Sequence, residues 1–292
     1  MSENGQKLSF GPWRLCFAQS ITEKNLHRSM HELQPYAFHR VANLFASLPY
    51  GPTIPNSVIS GTGPGRVFVD SEIEPTAALV YNNGACTLAG SADSIAFGKA
   101  VCRWLSEYHG SDYFILYAFP DAWQELLDRE LTRGVKKRRR LDFDFLHTKS
   151  ALHKDWESQI PGGYRLHRID RTLMELMRDE VLPYSSSYWR SAADFERHGV
   201  GFCLIHRDSI ASVCYTCFAW NDHHDIDIMT IENHRGKGLA LVAACAFINH
   251  CLRLGLTPNW DCWTDNQASV ALAARLGFVP RVEVTVYHGV RY

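Results

Sequence analysis

A short glycine-rich basic loop, Arg235-Gly236-Lys237-Gly238, contains the residue types that bind an anion. Its two glycines let the backbone approach a phosphate group closely, and its arginine and lysine add positive charge. A run of small and apolar residues begins at Leu239 and predicts a helix. Because the first N–H groups of a helix lack internal acceptors and its dipole is positive at that end, the sequence predicts a phosphate site here.

The segments around the loop predict the elements that position it. Residues 225–230 alternate polar and apolar side chains, which indicates a strand with one buried face. The helix after the loop ends near Leu254, where Gly255 can adopt the left-handed conformation that terminates helices. Further elements follow in the order of a strand at Thr257–Cys262, a helix opened by Asn266 and closed by Leu276, Gly277 and Phe278, and a strand at Val282–Tyr287.

The loop also has the spacing of a known motif. Arg235, Gly238 and Ala240 stand as Arg-x-x-Gly-x-Ala, which resembles the acyl-CoA pyrophosphate loop of the GCN5-related N-acetyltransferase (GNAT) superfamily. The order of elements over residues 162–292 is similar to the GNAT core, and Pro258-Asn259-Trp260-Asp261-Cys262 resembles a two-part bacterial-type subgroup. The resemblance implies an α/β (α+β) fold with a mixed central sheet flanked by helices. It also implies direct transfer of an acetyl group from acetyl-CoA to an amine of an acceptor.

The resemblance assigns acetyl-CoA binding mainly to backbone groups. The amide that stabilises the reacting carbonyl oxygen falls near Met229 or Thr230, at the end of the strand before the loop. Asn266 is implied by its place at the start of the following helix. The implied binding residues are Met229, Thr230, Arg235, Gly236, Lys237, Gly238, Leu239, Ala240 and Asn266.

The groups that move protons are less defined by the sequence. Asp227, which shares a strand face with Asp225, and Glu232 at the mouth of the loop are the candidates for the base that receives the amine proton. Many GNAT enzymes have a tyrosine proton donor where this chain has Ala273. Tyr287 and Tyr215 are candidate substitutes, and a thiolate with an ordinary pKa near about 8.5 could also leave with help from solvent.

Two other interpretations compete with this one. A non-catalytic acyl-CoA-binding or regulatory protein would keep the phosphate loop and lose the tyrosine. Cys214 and Cys217 form a Cys-x-x-Cys near His223 and His224, which could indicate zinc. Because both cysteines lie within an apolar strand pattern, we favour core thiols and expect no metal.

The length of 292 residues suits two domains. We predict an N-terminal α/β domain at residues 1–155 and the C-terminal GNAT domain at residues 156–292. The pattern of two strands, helix, strand, helix and strand after Ala77 suggests a degenerate GNAT-like half without a phosphate loop, which packs or closes over the substrate. Residues 1–46 suggest helix, and the segment Tyr184–Trp189 suggests either an acceptor-binding loop or a surface loop anchored by its tryptophan.

Charge and composition limit the partners of the chain. A net charge of -1 provides no global field for nucleic acid, and we interpret the basic run Lys136–Arg140 as a solvated turn. No apolar stretch approaches the roughly 18 residues of a membrane span, and nine cysteines without a signal peptide suggest reduced thiols in the cytoplasm. We therefore expect a cytoplasmic protein that binds acetyl-CoA and an amine, as a monomer or a homodimer.

Overall fold

The computed structural model describes residues 29–107, 113–146, 155–182 and 185–290. Twelve strands form its central sheet. They are β1 (His31–Leu33), β2 (Arg66–Val69), β3 (Ala77–Asn82), β4 (Ala85–Gly90), β5 (Tyr113–Phe119), β6 (Val135–Phe145), β7 (Tyr164–Arg168), β8 (Gly201–His206), β9 (Ser209–Trp220), β10 (His223–Thr230), β11 (Thr257–Trp263) and β12 (Phe278–Val290).

Helices cover both faces of this sheet. They are α1 (Ala42–Phe45), α2 (Thr53–Ile59), α3 (Ile95–Glu107), α4 (Trp123–Glu130), α5 (Arg171–Glu180), α6 (Ala192–His198), α7 (Leu239–Arg253) and α8 (Gln267–Leu276), with short 3₁₀ turns at Pro35–Val41, Trp156–Gln159, Ser185–Tyr188 and Glu232–His234. Within the described ranges, no helix combines the length and apolar character needed to cross a membrane.

The strand order shows how the two halves of the chain join. It is β1-β2-β3-β4-β5-β12-β6-β11-β10-β9-β8-β7. The β4–β5 and β10–β11 pairs are parallel, and the other neighbours are antiparallel. The predicted domain boundary near residue 155 falls after β6, yet β6 lies between β11 and β12 of the second half. In return, β12 pairs with β5 of the first half, so the halves exchange strands within one sheet.

Alternation along the strands sorts the core into two layers. On β9, Cys214 faces the layer under α7 and α8, whereas Tyr215 faces the layer under α5 and α6. On β5, Leu116 packs towards α3 and α4, and Tyr117 packs towards the face that carries α2. Successive side chains of a strand point to opposite faces, so Asp225 and Asp227 of β10 lie on the face of Tyr215 and α2.

The first half has the predicted order of elements but differs at the place that corresponds to the phosphate loop. The parallel β4–β5 ladder is continuous from Ala85 to Ala89, so those strands do not separate. The Asp70 carboxylate accepts hydrogen bonds from Thr76 (2.5 Å) and from Ser94 (2.8 Å), which directly precedes α3. A fixed negative charge at this helix start disfavours a phosphate, so the start of α3 does not have the features of an anion site.

Two sequence interpretations are wrong in this half. The basic run Lys136–Arg140 lies inside the central strand β6 rather than in a solvated turn, and carboxylates on β12, on β11 and just after β11 pair with its arginines. Residues 31–33 form strand β1 instead of helix because they pair with β2. The part of the predicted N-terminal helix at residues 1–28 lies outside the described residues.

The exchange of β6 and β12 leads to a testable expectation. If residues 1–155 and 156–292 are produced separately, neither fragment should show a cooperative thermal unfolding transition by circular dichroism. Each fragment loses the partner strands that cover the edges of its own central strand, and unpaired buried backbone groups are costly. Mixing the two fragments should restore the transition.

The control is the full chain cleaved at the same boundary after folding, which should keep its transition. Independent cooperative unfolding of either fragment would contradict the interdependence of the halves.

Candidate active site

The parallel strands β10 and β11 separate soon after they begin. Their ladder joins only His223–Asp225 to Thr257–Asn259. Beside this point, a register shift in the β9–β10 ladder leaves Cys217 of β9 as an extra residue opposite Asp225 and Ile226. From Trp260 onwards β11 continues beside β6 on its other edge. The two strands thus leave an opening in the middle of the sheet.

A cavity of about 420 Å³ fills this opening, and we call it the reaction cleft. Both halves of the chain line it, because β5 and β6 of the first half stand beside β11 and β12. Its lining residues are Ile54, Ala85, Tyr113, Ile115, Tyr117, Arg140, Tyr188, Cys217, Phe218, Asp225, Ile226, Asp227, Ile228, Trp260, Asp261, Cys262, Trp263, Asn266, Ser269 and His288.

The predicted phosphate loop connects β10 to the N-terminus of α7. Gly236 and Gly238 have positive φ angles of 75° and 79°, and a Cβ added at either position would meet no atom within 4 Å. Gly238 is the N-cap of α7, and no side chain within the described residues caps that helix. The N–H groups of the first turn, at Leu239 and Ala240, therefore have no capping side chain among the described residues, and they lie at the positive end of the helix dipole.

The basic side chains of the loop brace it and supply its charge. Arg235 Nε donates to the carbonyl oxygen of Thr230 at 3.2 Å. Lys237 Nζ donates to Tyr164 Oη at 3.1 Å and to the carbonyl oxygen of Asn233 at 3.3 Å. These contacts hold two positive charges beside the unpaired amides, which fits a dianionic or diphosphate group.

The hydrogen bonds of the β9–β10 ladder show which of Met229 and Thr230 points its backbone N–H towards the opening. The N–H of Ile231 donates to the carbonyl oxygen of Ala211 on the β9 side. Backbone N–H groups alternate in direction along a strand, so the Met229 N–H also faces β9 and the Thr230 N–H faces the opening. The Thr230 carbonyl, which accepts from Arg235, lies on that same side. Thr230 is therefore the better placed of the two to offer an amide to a ligand.

Asn266 occupies the start of α8 as the sequence predicted. Its side chain accepts a hydrogen bond from the N–H of Ser269 at 3.2 Å, which caps the helix, and both residues line the reaction cleft. The predicted binding residues thus occupy two places, the loop before α7 and the cleft wall at α8.

Asp227 is the predicted base that the structure places in the cleft. Its Oδ2 accepts a hydrogen bond from the buried Tyr215 hydroxyl at 2.8 Å. Burial raises the pKa of the Asp227 carboxyl, and the hydrogen bonds from Tyr215 and from the Ile228 N–H oppose that rise. A carboxyl whose pKa is raised towards neutrality can exchange a proton with a bound amine.

Of the other predicted positions, Glu232 and Tyr287 lie outside the cleft, and position 273 has no hydroxyl group that could donate a proton. Glu232 is exposed on the 3₁₀ turn after β10 and is not among the cleft-lining residues. Tyr287 points into the core of the first half, where its hydroxyl donates to Asp128 Oδ1 at 2.7 Å. Ala273 is fully buried in the layer beneath α8. The turn that carries Glu232 and the strand that carries Tyr287 point these side chains away from the cleft. The spacing of residues along the chain does not define that direction.

The sequence reasoning missed a half-buried network in the wall of the cleft. Arg140 Nε donates to Asp261 Oδ2 at 2.5 Å, and the Tyr117 hydroxyl donates to the same oxygen at 3.0 Å. The Arg140 guanidinium also lies 4.7 Å from the centre of the Trp263 ring. The available signal was the string of five basic residues next to a strand pattern, because five consecutive cations are unusual within a central strand.

Side-chain direction bears on two of the open alternatives. Cys214 and Cys217 belong to the two opposite core layers, so they do not converge on one metal ion. Among the residues that the structure describes, no three His, Cys, Asp or Glu side chains are grouped to hold a metal. In the segment Tyr184–Trp189, Trp189 is buried and donates to the Thr216 carbonyl, while Tyr188 lines the cleft.

Comparisons with known proteins agree with this architecture. The model of the GNAT acetyltransferase family matches residues 42–287. The chain belongs to this GNAT acetyltransferase family. It is 31% identical over 241 residues to the uncharacterized N-acetyltransferase YdfB of Bacillus subtilis, a match covering 82% of this chain and 91% of that protein.

Solved structures show the same fold. A GCN5-related N-acetyltransferase-like protein from Streptococcus suis superposes with a TM-score of 0.72 at 26% identity, covering 87% of this chain and 98% of that one. A tandem GNAT protein from the clavulanic acid biosynthesis pathway has a TM-score of 0.58 at 12% identity, with 89% and 98% covered. The second likeness concerns the fold alone and agrees with the two-part architecture. Family membership supports acetyl transfer as the general activity, and GNAT acetyltransferases use acetyl-CoA as a substrate.

The Tyr215–Asp227 hydrogen bond can be tested without an activity assay. Tyr215→Phe should raise the pKa of Asp227 by about one to two units, because a hydrogen bond to a charged group is worth about 1.5–3 kcal/mol. The measurement is a carbon-13 NMR titration of the Asp227 carboxyl.

Tyr117→Phe is the matched control, since the hydroxyl of Tyr117 donates to Asp261 instead. An Asp227 titration that is the same in Tyr215→Phe and wild type would show that this hydrogen bond does not tune the carboxyl.

Proposed function

We propose that the protein is an N-acetyltransferase that moves the acetyl group of acetyl-CoA directly to an amine bound in the reaction cleft. The observation that carries this proposal is the separation of β10 from β11 beside the uncapped N-terminus of α7. It provides a long opening for an acyl-thioester arm with a phosphate cradle at one end. Asp227 lies along that opening and can receive a proton.

The cradle fits the diphosphate of coenzyme A in chemistry and in space. The backbone from Gly236 to Ala240 offers N–H donors, and the side chains of Arg235 and Lys237 compensate the negative charge. Both glycines need the left-handed conformation, which costs other residues about 1–2 kcal/mol. Asn266 would contact acetyl-CoA further along the molecule from its diphosphate, at the wall of the cleft.

The acetyl transfer itself needs few side chains. The nitrogen lone pair of the acceptor forms a bond to the thioester carbonyl carbon, the carbon–sulfur bond breaks, and the nitrogen loses one proton. Asp227 is the group assigned to take that proton, directly or through water. The Thr230 N–H is assigned to the carbonyl oxygen, on which negative charge develops.

The departing sulfur does not require a tyrosine in this chain. Ala273 stands where many relatives are expected to have the tyrosine, and the Tyr215 hydroxyl is engaged with Asp227. Tyr113 and Tyr188 line the cleft with their hydroxyl oxygens 3.2 Å apart, but burial raises the pKa of both phenols. The sulfur can leave as a thiolate, because the corresponding thiol has an ordinary pKa of about 8.5. The thiolate then takes a proton from solvent.

A binding experiment tests the cradle. Gly238→Glu should weaken acetyl-CoA binding by roughly tenfold to hundredfold, because a carboxylate would replace open space beside the diphosphate and strain the backbone. Isothermal titration calorimetry with acetyl-CoA measures the change.

Gly255→Glu is the matched control at the opposite end of α7. Gly255 also has a positive φ, 70°, and open space around its Cβ position, so both variants share the same backbone strain. Equal affinity in the two variants would argue against phosphate binding at Gly238.

A second experiment tests catalysis. Asp227→Asn should lower kcat/KM for acetylation by about 100-fold or more, because an amide cannot accept the proton of the amine. Glu232→Gln should retain the wild-type rate, since Glu232 lies outside the cleft. Acetylated products from a broad panel of amines are measured by mass spectrometry.

A loss of rate in Glu232→Gln but not in Asp227→Asn would reassign the base. Tight acetyl-CoA binding without product on the broad amine panel would instead favour the non-catalytic acyl-CoA-binding alternative, for which the alanine at position 273 is the supporting observation.

A further inference from the structure

We propose that the acceptor is a small diamine, whose second ammonium group binds to Asp225 in a pocket behind the reaction cleft while its first amine is acetylated. This inference rests on the proposed acetyl transfer and names the class of acceptor. The second amine undergoes no chemistry; it positions the first.

The pocket in question adjoins the cleft and is a separate cavity of about 210 Å³, which we call the rear pocket. Asp225 lines both cavities, as do Tyr117 and Trp260. Tyr50 and the segment that leads into α2 form the wall of the rear pocket on the side of the first half. A compact ligand can therefore extend from the reaction cleft past Asp225 into a partly open space between the two halves.

The charges in the rear pocket are paired except at Asp225. Arg281 contacts Asp142 at 2.5 Å and Asp144 at 3.2 Å. Arg140 contacts Asp261 at 2.5 Å. With four carboxylates and two guanidinium groups, the pocket carries an excess of negative charge.

Asp225 has hydrogen-bond donors but no cation within the described residues. Asn259 Nδ2 donates to Asp225 Oδ1 at 2.8 Å, and the Thr53 hydroxyl also hydrogen-bonds to this carboxylate. The donors fix the orientation of the carboxylate without neutralising it. A buried carboxylate gains most from a partner of opposite charge, and an ammonium group of a ligand is the partner that this geometry accommodates.

The walls of the rear pocket suit an ammonium carried on a short hydrocarbon chain. Tyr50, Tyr117 and Trp260 contribute aromatic surface, which attracts cations through the ring face and packs against methylene groups. The Tyr50 hydroxyl is already engaged with the Ala118 carbonyl at 2.9 Å, and the Tyr117 hydroxyl with Asp261 at 3.0 Å. These rings therefore offer their apolar surfaces more than their hydroxyl groups.

The spacing of the two aspartates sets the length of the ligand. Asp225 and Asp227 are two residues apart on one face of β10, which separates their side chains by roughly 6–7 Å. One amine at Asp227 and one at Asp225 match a chain of three to five methylene groups. The proton-accepting and the ammonium-binding carboxylates would thus belong to the same strand.

The titration of Asp225 agrees with this role. Burial raises its pKa to about 7, the nearby Asp261 and Asp142 carboxylates add to the rise, and the hydrogen bonds from Asn259 and Thr53 oppose it. The other charged or titratable groups that line the same two cavities are Arg140 and Asp144 on β6, Arg281 and His288 on β12, Tyr113 and Tyr117 on β5, Tyr50, Tyr188, Cys217 on β9, Cys262 on β11, and His223 and Asp227 on β10. A bound ammonium would favour ionised Asp225, so a diamine should bind more tightly as the pH rises through 7.

The test compares 1,4-diaminobutane with n-butylamine, which lacks the second amine. Calorimetric titrations are run with CoA present, on wild type, Asp225→Asn and the surface control Asp208→Asn. Wild type and the control should bind the diamine at least about tenfold tighter than the monoamine, as expected for one charge-assisted hydrogen bond. Asp225→Asn should remove this preference and leave monoamine binding unchanged. Between pH 6 and 8 the diamine affinity of wild type should rise by about tenfold, and that of Asp225→Asn should not.

Equal binding of the two amines by wild type would overturn the inference, whether or not Asp225→Asn folds. A diamine preference that persists in a folded Asp225→Asn would overturn it as well. Acetylation assays distinguish this failure from failure of the proposed function. Equal acetylation of both amines would sustain acetyl transfer and refute the diamine site, whereas diamine-selective binding without any acetylated product would sustain the site and refute acetyl transfer.

Discussion

The separation of β10 from β11 after three paired residues is the constraint on which the candidate site depends. A parallel pair inside a sheet would normally continue, since unpaired backbone groups in the interior cost free energy. Here the β10–β11 ladder ends at Asp225 and Asn259, and the unpaired edge becomes the wall of a cleft. A ligand arm that hydrogen-bonds to this edge would restore the missing partners. The opening and its proposed ligand are therefore two parts of one hydrogen-bonding arrangement.

The exchange of strands between the halves keeps that opening in shape. Because β6 supports β11 and β12 supports β6, the side of the cleft opposite β10 is built from both halves of the chain. Arg140 of β6 is held to Asp261 of β11, and Arg281 of β12 is held to Asp142 of β6. These ion pairs lie in or beside the cavities, so the same contacts that join the strands also fix the charges that a substrate would meet.

The two halves differ in electrostatics more than in the order of their elements. In the second half, the helix that follows the separated strand begins at Gly238 with no capping side chain and two cations beside it. In the first half, the corresponding helix follows a continuous ladder, and Asp70 occupies the space next to its first residues. The same order of elements thus gives a candidate anion site in the second half and a continuous ladder in the first half. The difference comes from the Asp70 carboxylate, two glycines and one interrupted ladder.

The sequence by itself determined the features that depend on neighbouring residues. The loop Arg235–Gly238 and the helix starts at Leu239 and Asn266 follow from local backbone preferences, and the GNAT resemblance of the second half is confirmed. Tertiary structure alone decided which distant side chains meet. Arg140 became a half-buried partner of Asp261 because β6 crosses into the other half, and the Tyr287 side chain points into the core of the first half. Within the described residues, Asp225 has no cation beside it where it lines the rear pocket. These outcomes depend on strand order and on the face that each side chain takes, and long-range pairing sets both.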